Sequence, residues 1–325
     1  MNQDILKTMT AKLDDSLWGH EREYDCFKQA IFQNKLHHAW LICGEVGVGK
    51  KTFVNHVIRL ILGSSENVLA KIRAGSHPDL LMVSRRIDEK KNRLRSEILM
   101  DDIKAVGTFL RLTSANGGWR IVIIEEADLM NQNAANSLLK ILEEPPDAAL
   151  IFLITAHPNR LLPTISSRCR KLMLHPLSNT VLLEALIKLA PEYSEAEYQK
   201  IITLSQGTIG KALSLLNSDA SNLQNIVDAF FEKPFKGSEL NEKVKYILQK
   251  EDGFSVFFSL LTDKFNMLIG EAIKSRQERF GNPSRTVMEW IDIWRKILKW
   301  HKDTESFNLD KRQTLISDFE LVSEL

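Results

Sequence analysis

Residues 44–51 read Gly44-Glu45-Val46-Gly47-Val48-Gly49-Lys50-Lys51. A short apolar run, His38–Cys43, precedes them, and a segment of helical spacing, Thr52–Leu62, follows. No other feature constrains the fold of this chain as strongly. A glycine-rich turn between a strand and a helix wraps backbone N–H groups around an anion, and the positive end of the helix adds to them. The pattern G-x-x-x-x-G-K-S/T also needs a hydroxyl directly after the lysine to hold Mg²⁺. Lys51 stands there instead. An ammonium cannot ligate a metal ion, and Thr52 lies one residue late, turned about 100° away on a helix. Gly44, Gly47 and Gly49 permit the wrap, and Lys50 is placed to reach phosphates. Two readings stay open at this point: a loop kept only for its shape, or weak nucleotide binding without hydrolysis.

The chain up to Pro176 alternates short apolar runs with helical patterns. Strands are expected at His38–Cys43, Asp79–Val83, Arg120–Ile124, Leu150–Thr155 and Arg170–Leu174. Helices are expected at His20–Lys35 (Tyr24, Phe27, Ile31 and Phe32 on one face), Thr52–Leu62, Asp101–Arg111 and Asn133–Leu142, the last stopped by Pro145-Pro146. Such alternation predicts a parallel α/β sheet with right-handed crossovers. Beyond Pro176 the strand signal stops. Thr180–Ala190, Glu195–Ser205 and Gly210–Leu216 read as three helical pieces. From about Asn222 the chain stays helical, with one stripe at Phe257, Leu261, Leu268 and Ala272. A second stripe runs through Val287, Trp290, Ile291, Trp294, Ile297 and Leu298, after a break at Gly281-Asn282-Pro283. The expected domains are 1–176, 177–218 and 219–325.

An acidic pair at the end of a buried strand is the second half of an ATPase pocket. Ile121-Val122-Ile123-Ile124-Glu125-Glu126 supplies it, but Glu125 is one methylene longer than the aspartate that usually holds Mg²⁺ through water. Glu126 sits where a water-activating base would sit. Thr155 ends the next strand and is either a sensor of a terminal phosphate or an ordinary β-branched strand residue. Arg168, in Pro163-Thr164-Ile165-Ser166-Ser167-Arg168-Cys169, carries a rigid fork of donors suited to a phosphoryl group in transfer. Taken alone, it reads first as a surface arginine in a structural salt bridge.

These segments together resemble the clamp-loader ATPase family of the AAA+ class. The likeness runs through about 215 residues. It includes the Gly-rich loop, Ser76-His77-Pro78-Asp79-Leu80, Leu138-Leu139-Lys140-Ile141-Leu142-Glu143-Glu144-Pro145-Pro146, Ser167-Arg168-Cys169 and Gly207-Thr208-Ile209-Gly210-Lys211. Within the family it is similar to the delta-prime branch of the DNA polymerase III clamp loader. The resemblance implies an AAA+ parallel-sheet domain, a small helical lid and an all-α C-terminal collar. It further implies a ring shared with tau/gamma and delta subunits that loads the sliding clamp onto primed DNA during replication. Arg168 would complete, in trans, the ATP site of a neighbouring subunit. The chain's own site, at Gly44, Gly47, Gly49, Lys50, Lys51, Glu125, Glu126, Thr155 and Lys211, would be degenerate. Lys211 falls at the second sensor position, where active ATPases often carry arginine. Lys104, Arg111 and Lys140 become candidates to face duplex phosphates. No tightly bound cofactor is expected, ATP and Mg²⁺ belonging to the neighbour. Residues 63–78 lack the cysteines of the zinc module found in some relatives, so no zinc is expected.

Composition narrows the classes. The formal net charge of +1 excludes a global basic field for nucleic acid. The basic stretch Arg85–Arg95 reads as a solvated hairpin or loop, with DNA contact as the minority reading. Cys26, Cys43 and Cys169 form no C-x-x-C pair, which favours a reducing cytoplasm, at the replisome on the resemblance. No apolar run approaches a membrane span, and Met1–Ser16 lacks the apolar core of a signal peptide. A self-sufficient tau/gamma-like ATPase is the main alternative, opposed by Lys51 and Glu125. A Holliday-junction helicase-like ring and a nucleoside kinase share fewer of these segments.

Overall fold

Apolar runs in the first half of the chain become five parallel strands: β1 (Ala39–Cys43), β2 (Leu80–Val83), β3 (Arg120–Ile124), β4 (Ala149–Thr155) and β5 (Arg170–Met173). The computed structural model describes residues 16–88, 93–115, 117–217, 220–233, 235–250, 252–275, 279–280, 285–307 and 309–323. The sheet order is β2-β3-β4-β1-β5. β4 is therefore inserted between β1, which carries the Gly-rich loop, and β3, which carries the acidic pair. Its register sets Ala39 beside Ile151 on one side and Arg120 beside Ala149 on the other.

Burial on both faces explains why these runs are continuously apolar rather than alternating. Ala39, Leu41, Val122, Ile124, Ile151 and Leu153 project into one core layer, with Val106 and Leu138 from the helices that cover that face. Trp40, Ile42, Ile121, Ile123, Phe152 and Ile154 project into the other, with Phe27, Phe53 and Val57. The first layer is covered by α4 (Met100–Leu110) and α5 (Gln132–Glu143), the second by α1 (Glu21–Phe32), α2 (Lys50–Leu62) and α3 (Glu66–Arg73). α6 (Pro163–Ser166) is a single turn before β5.

Phe32 departs from its expected place: it is 93% exposed. Phe27 is the anchor of α1, its ring 3.9 Å from that of Trp40. Tyr24 and Ile31 sit three and four residues from Phe27 and share its face. Phe32, five residues on, is turned about 140° away. The helix α3 was not expected from the sequence. Part of the basic stretch forms a two-stranded hairpin, Ile87–Asp88 with Arg93–Leu94; Glu89, Lys90 and Lys91 lie outside the described residues.

The chain divides into two compact units: residues 1–202 with 206–210, and 203–205 with 211–325. α7 (Asn179–Leu189), α8 (Glu195–Ser205) and α9 (Ile209–Asn217) follow the sheet. The second unit continues with α10 (Ala220–Glu232), α11 (Gly237–Gln249), α12 (Gly253–Ser275), α13 (Val287–Phe307) and α14 (Lys311–Ser323). Its core is aromatic: Phe265 meets Phe231 and Trp290 edge-on, Phe231 and Trp290 are tilted against each other, and Phe319 lies against Phe230 and Phe257. The buried side of α13 is Trp290, Ile293, Trp294, Ile297, His301 and Thr304. Ile293, not Ile291, completes the stripe, because the anchor at Trp290 sets the phase, and Leu298 is exposed. The expected Gly281-Asn282-Pro283 break lies outside the described residues. Among the described residues no helix is long and apolar enough to cross a membrane.

Candidate functional site

The strand order brings three strand ends together. Adjacent strands lie about 4.8 Å apart, so the loop after β1 and the acids after β3 stand roughly 10 Å from each other, with Thr155 at the end of β4 between them. A cavity of about 470 Å³ opens there, lined by Gly47, Gly49, Lys50, Lys51, Glu126, Asp128, Thr155, His157, Arg160 and Gly210. Arg168 is not among its lining residues.

The loop turns tightly at its glycines: Gly44, Gly47 and Gly49 all have positive φ. A Cβ on Gly44, whose φ is +152°, would fall 2.6 Å from the carbonyl oxygen of Leu174, so only glycine fits. Gly210 N–H donates to the Gly47 carbonyl at 2.9 Å and ties the loop to the start of α9. Lys50 turns back on its own loop: Nζ donates to the carbonyls of Gly44 (2.8 Å) and Glu45 (2.7 Å). Burial pulls its pKa below the ordinary lysine value, while the charge of Asp128 acts the other way.

The two metal-organising positions are joined to each other. Lys51 Nζ lies 2.7 Å from Glu125 Oε1. The contact is a charge pair rather than a directed hydrogen bond, since that oxygen accepts none. Mg²⁺ demands oxygen ligands in near-octahedral array. Here the residue after the loop lysine offers an ammonium, and the strand-end carboxylate is spent on it. The residues at these positions do not fit the ion.

Glu126 is held as well. Its backbone is left-handed, with φ of +50°. Its carboxylate accepts from Arg85 through Nε (2.7 Å to Oε2) and Nη2 (2.9 Å to Oε1), a two-pronged ion pair that competes with any activation of water. Thr155 is buried, donates to Asp128 Oδ1 at 2.5 Å and accepts from His157 N–H at 2.9 Å. Its hydroxyl thus serves as donor and as acceptor inside the protein, and it lines the cavity as part of that chain.

Arg168 follows α6, whose turn is closed by Ser167 N–H on the Pro163 carbonyl and Arg168 N–H on the Ile165 carbonyl. Nη1 donates to the Thr164 carbonyl at 2.9 Å, and Nη2 lies 2.7 Å from Glu143 Oε1. The side chain is 37% exposed. Lys211 belongs to the second unit, where its ammonium pairs with Asp263. Lys104, Arg111 and Lys140 are exposed on α4, just after it and on α5, and Lys104 pairs with Asp101 at 3.0 Å.

Sequence reasoning missed the partners. Arg85 was read as part of a solvated basic stretch, and Asp128 and Glu143 were given no role. The available signal for Asp128 was its place two residues after Glu126, on a strand end that the sheet sets beside that of Thr155.

A phosphate loop after β1, acids after β3 and a strand inserted between them define a P-loop α/β domain of the AAA+ class. The family model described as "DNA polymerase III, delta subunit" matches residues 19–178. DNA polymerase III subunit delta' of Pseudomonas aeruginosa is 33% identical over 180 residues, 53% of this chain and 53% of that protein. DNA polymerase III subunit tau/gamma of Haemophilus influenzae is 28% identical over 211 residues, 61% of this chain and 29% of that protein. A DNA polymerase III gamma subunit-related protein of Thermotoga maritima, a solved structure, is 20% identical with a TM-score of 0.46, covering 93% of this chain and 98% of its own. Residues 19–178, just under half of this chain, thus match the DNA polymerase III delta-subunit family model, and delta' and tau/gamma subunits are similar to it in sequence. The chain spans about half the length of the delta' relative it matches.

Proposed function

We propose that this chain is a delta-prime-like subunit of a DNA polymerase III clamp loader, and that it lends Arg168 to the ATP site of a neighbouring subunit while hydrolysing no ATP itself. The observation that carries the second half is the Lys51–Glu125 ion pair at the two positions that would otherwise organise Mg²⁺. The self-capped Lys50 and the Arg85-clamped Glu126 point the same way. Charge on a phosphoryl group in transfer is stabilised by a positioned guanidinium, and an arginine supplied by a partner is worth roughly 10³–10⁵ in rate. The family match favours tau/gamma and delta subunits as partners, with the sliding clamp and primed DNA reached through the assembly in the cytoplasm. ATP and Mg²⁺ then belong to the neighbour's site, and no zinc or tightly held cofactor is needed here.

The test is ATP turnover by the purified chain with Mg²⁺, alone and after mixing with tau/gamma and delta subunits on primed DNA. Turnover absent from the chain alone and raised by its addition to the others supports the reading. Brisk turnover by the chain alone rejects it in favour of a self-sufficient ATPase.

A further inference from the structure

We infer that Glu143 is a positioning residue for Arg168, holding the guanidinium in the pose in which it meets an incoming phosphate. The inference rests on the reading of Arg168 given above and adds to it a second residue. Arg168 has five N–H donors in a rigid fork. The Thr164 carbonyl accepts one from Nη1 (2.9 Å), and the Glu143 carboxylate sets a charge contact against the fork, Oε1 lying 2.7 Å from Nη2. Among the described residues the Thr164 carbonyl is the one hydrogen-bond partner of the guanidinium. The fork is therefore held at two points, by one hydrogen bond and one charge contact, while most of its hydrogen-bonding capacity stays uncommitted and the side chain remains 37% exposed. An arginine left unanchored on the surface would have to order its long side chain each time it engaged a ligand, and that ordering opposes binding.

Nothing in the local structure asks for a carboxylate at position 143 on other grounds. Glu143 is the last residue of α5, where the helix dipole is negative and an acid is unfavourable. Lys140, in the same last turn, is the residue that suits the dipole. α5 is fixed independently at its start, where the Asn131 side chain accepts from Ala134 N–H at 2.9 Å, and by Leu138 and Leu142 in the core. The Glu143 side chain is half exposed, and exposed ion pairs add little to stability. A purely structural account of the pair therefore predicts almost no consequence of losing it, whereas a positioning account predicts a loss in turnover.

The experiment uses the full chain assembled with tau/gamma and delta subunits on primed DNA, with ATP as substrate. Wild type, Arg168→Ala, Glu143→Gln and the double variant are compared by kcat, KM for ATP, assembly on size exclusion and the urea midpoint of the isolated chain. The expected result is a threefold to tenfold fall in kcat for Glu143→Gln, with KM, assembly and urea midpoint unchanged. In the Arg168→Ala background the same substitution has no further effect, because Glu143 acts through the arginine. Unchanged kcat in Glu143→Gln, an equal fall in both backgrounds, or a fall accompanied by a lower urea midpoint or lost assembly overturns the inference. Full turnover in Arg168→Ala is a separate outcome that overturns the underlying reading of the arginine.

Discussion

Breaking the Lys51–Glu125 pair from each side in turn should give unequal losses of stability. At 2.7 Å, two unit charges attract by about 6 kcal/mol at an effective dielectric constant of 20 and by about 1.5 kcal/mol in bulk water. Desolvation and side-chain ordering remove much of that. The Lys51 side chain is 56% exposed and that of Glu125 only 23%. The coupling then falls above the ~0–1 kcal/mol of an exposed pair and below the ~3–5 kcal/mol lost when one partner of a buried pair is removed, at about 1–2 kcal/mol. Lys51→Met strands a buried carboxylate oxygen and should cost about 1–3 kcal/mol. Glu125→Gln leaves an ammonium that water can reach and should cost less than about 1 kcal/mol. The double variant should cost less than the sum. Urea unfolding followed by far-UV circular dichroism, fitted to the transition of the α/β unit, measures all three. Additive losses, or a Lys51→Met variant no weaker than Glu125→Gln, would refute the claim that the two side chains complete each other.

Two further outcomes test the packing around the site and in the helical unit. A Cβ at Gly210 would lie 2.8 Å from Gly47 Cα, so Gly210→Ala should destabilise by about 1–3 kcal/mol, while Gly270→Ala, with open space around it in α12, should stabilise by about 0.5–1 kcal/mol; opposite shifts in urea midpoint are the check. Asp318 is buried, Oδ1 has no hydrogen-bond partner among the described residues, and burial pushes its pKa up to about 8. The folded state therefore holds this proton where the unfolded chain has released it. The corresponding stability is full below about pH 4 and falls by up to about 1.4 kcal/mol per pH unit until about pH 8. Asp318→Asn should flatten that slope in thermal melts between pH 5 and 8, and an unaltered slope would assign the pH dependence elsewhere.

Much of the sheet was legible because its strands are buried on both faces. Arg120–Ile124 reads as a strand from its β-branched run alone, and the structure begins and ends it at the same residues. Helix α3 was hidden because Ile72 is its one buried residue, too little to mark a period. The phase of α13 was half legible: Trp290, Trp294 and Ile297 are on the buried side, but only packing decides between Ile291 and Ile293. The loop and the acidic strand end announced themselves as local motifs. Their pairing did not. Lys51 and Glu125 are joined only once β4 is threaded between β1 and β3, and no local pattern records that order. Arg85 with Glu126, and Glu143 with Arg168, are likewise products of the fold. A salt bridge was foreseen for Arg168, but its partner was not, and Arg85 was read as solvated; the fold supplies the partner in each case.

The central claim is a division of labour between a guanidinium that serves another subunit and a loop lysine that serves only its own backbone. It is tested most directly by DNA-stimulated ATP turnover in the reconstituted assembly carrying either Arg168→Ala or Lys50→Ala in this chain. The account predicts that Arg168→Ala removes the turnover this chain confers, by roughly 10³-fold or more at the site it completes, and that Lys50→Ala leaves turnover near the wild-type value. Equal losses from the two substitutions would contradict it.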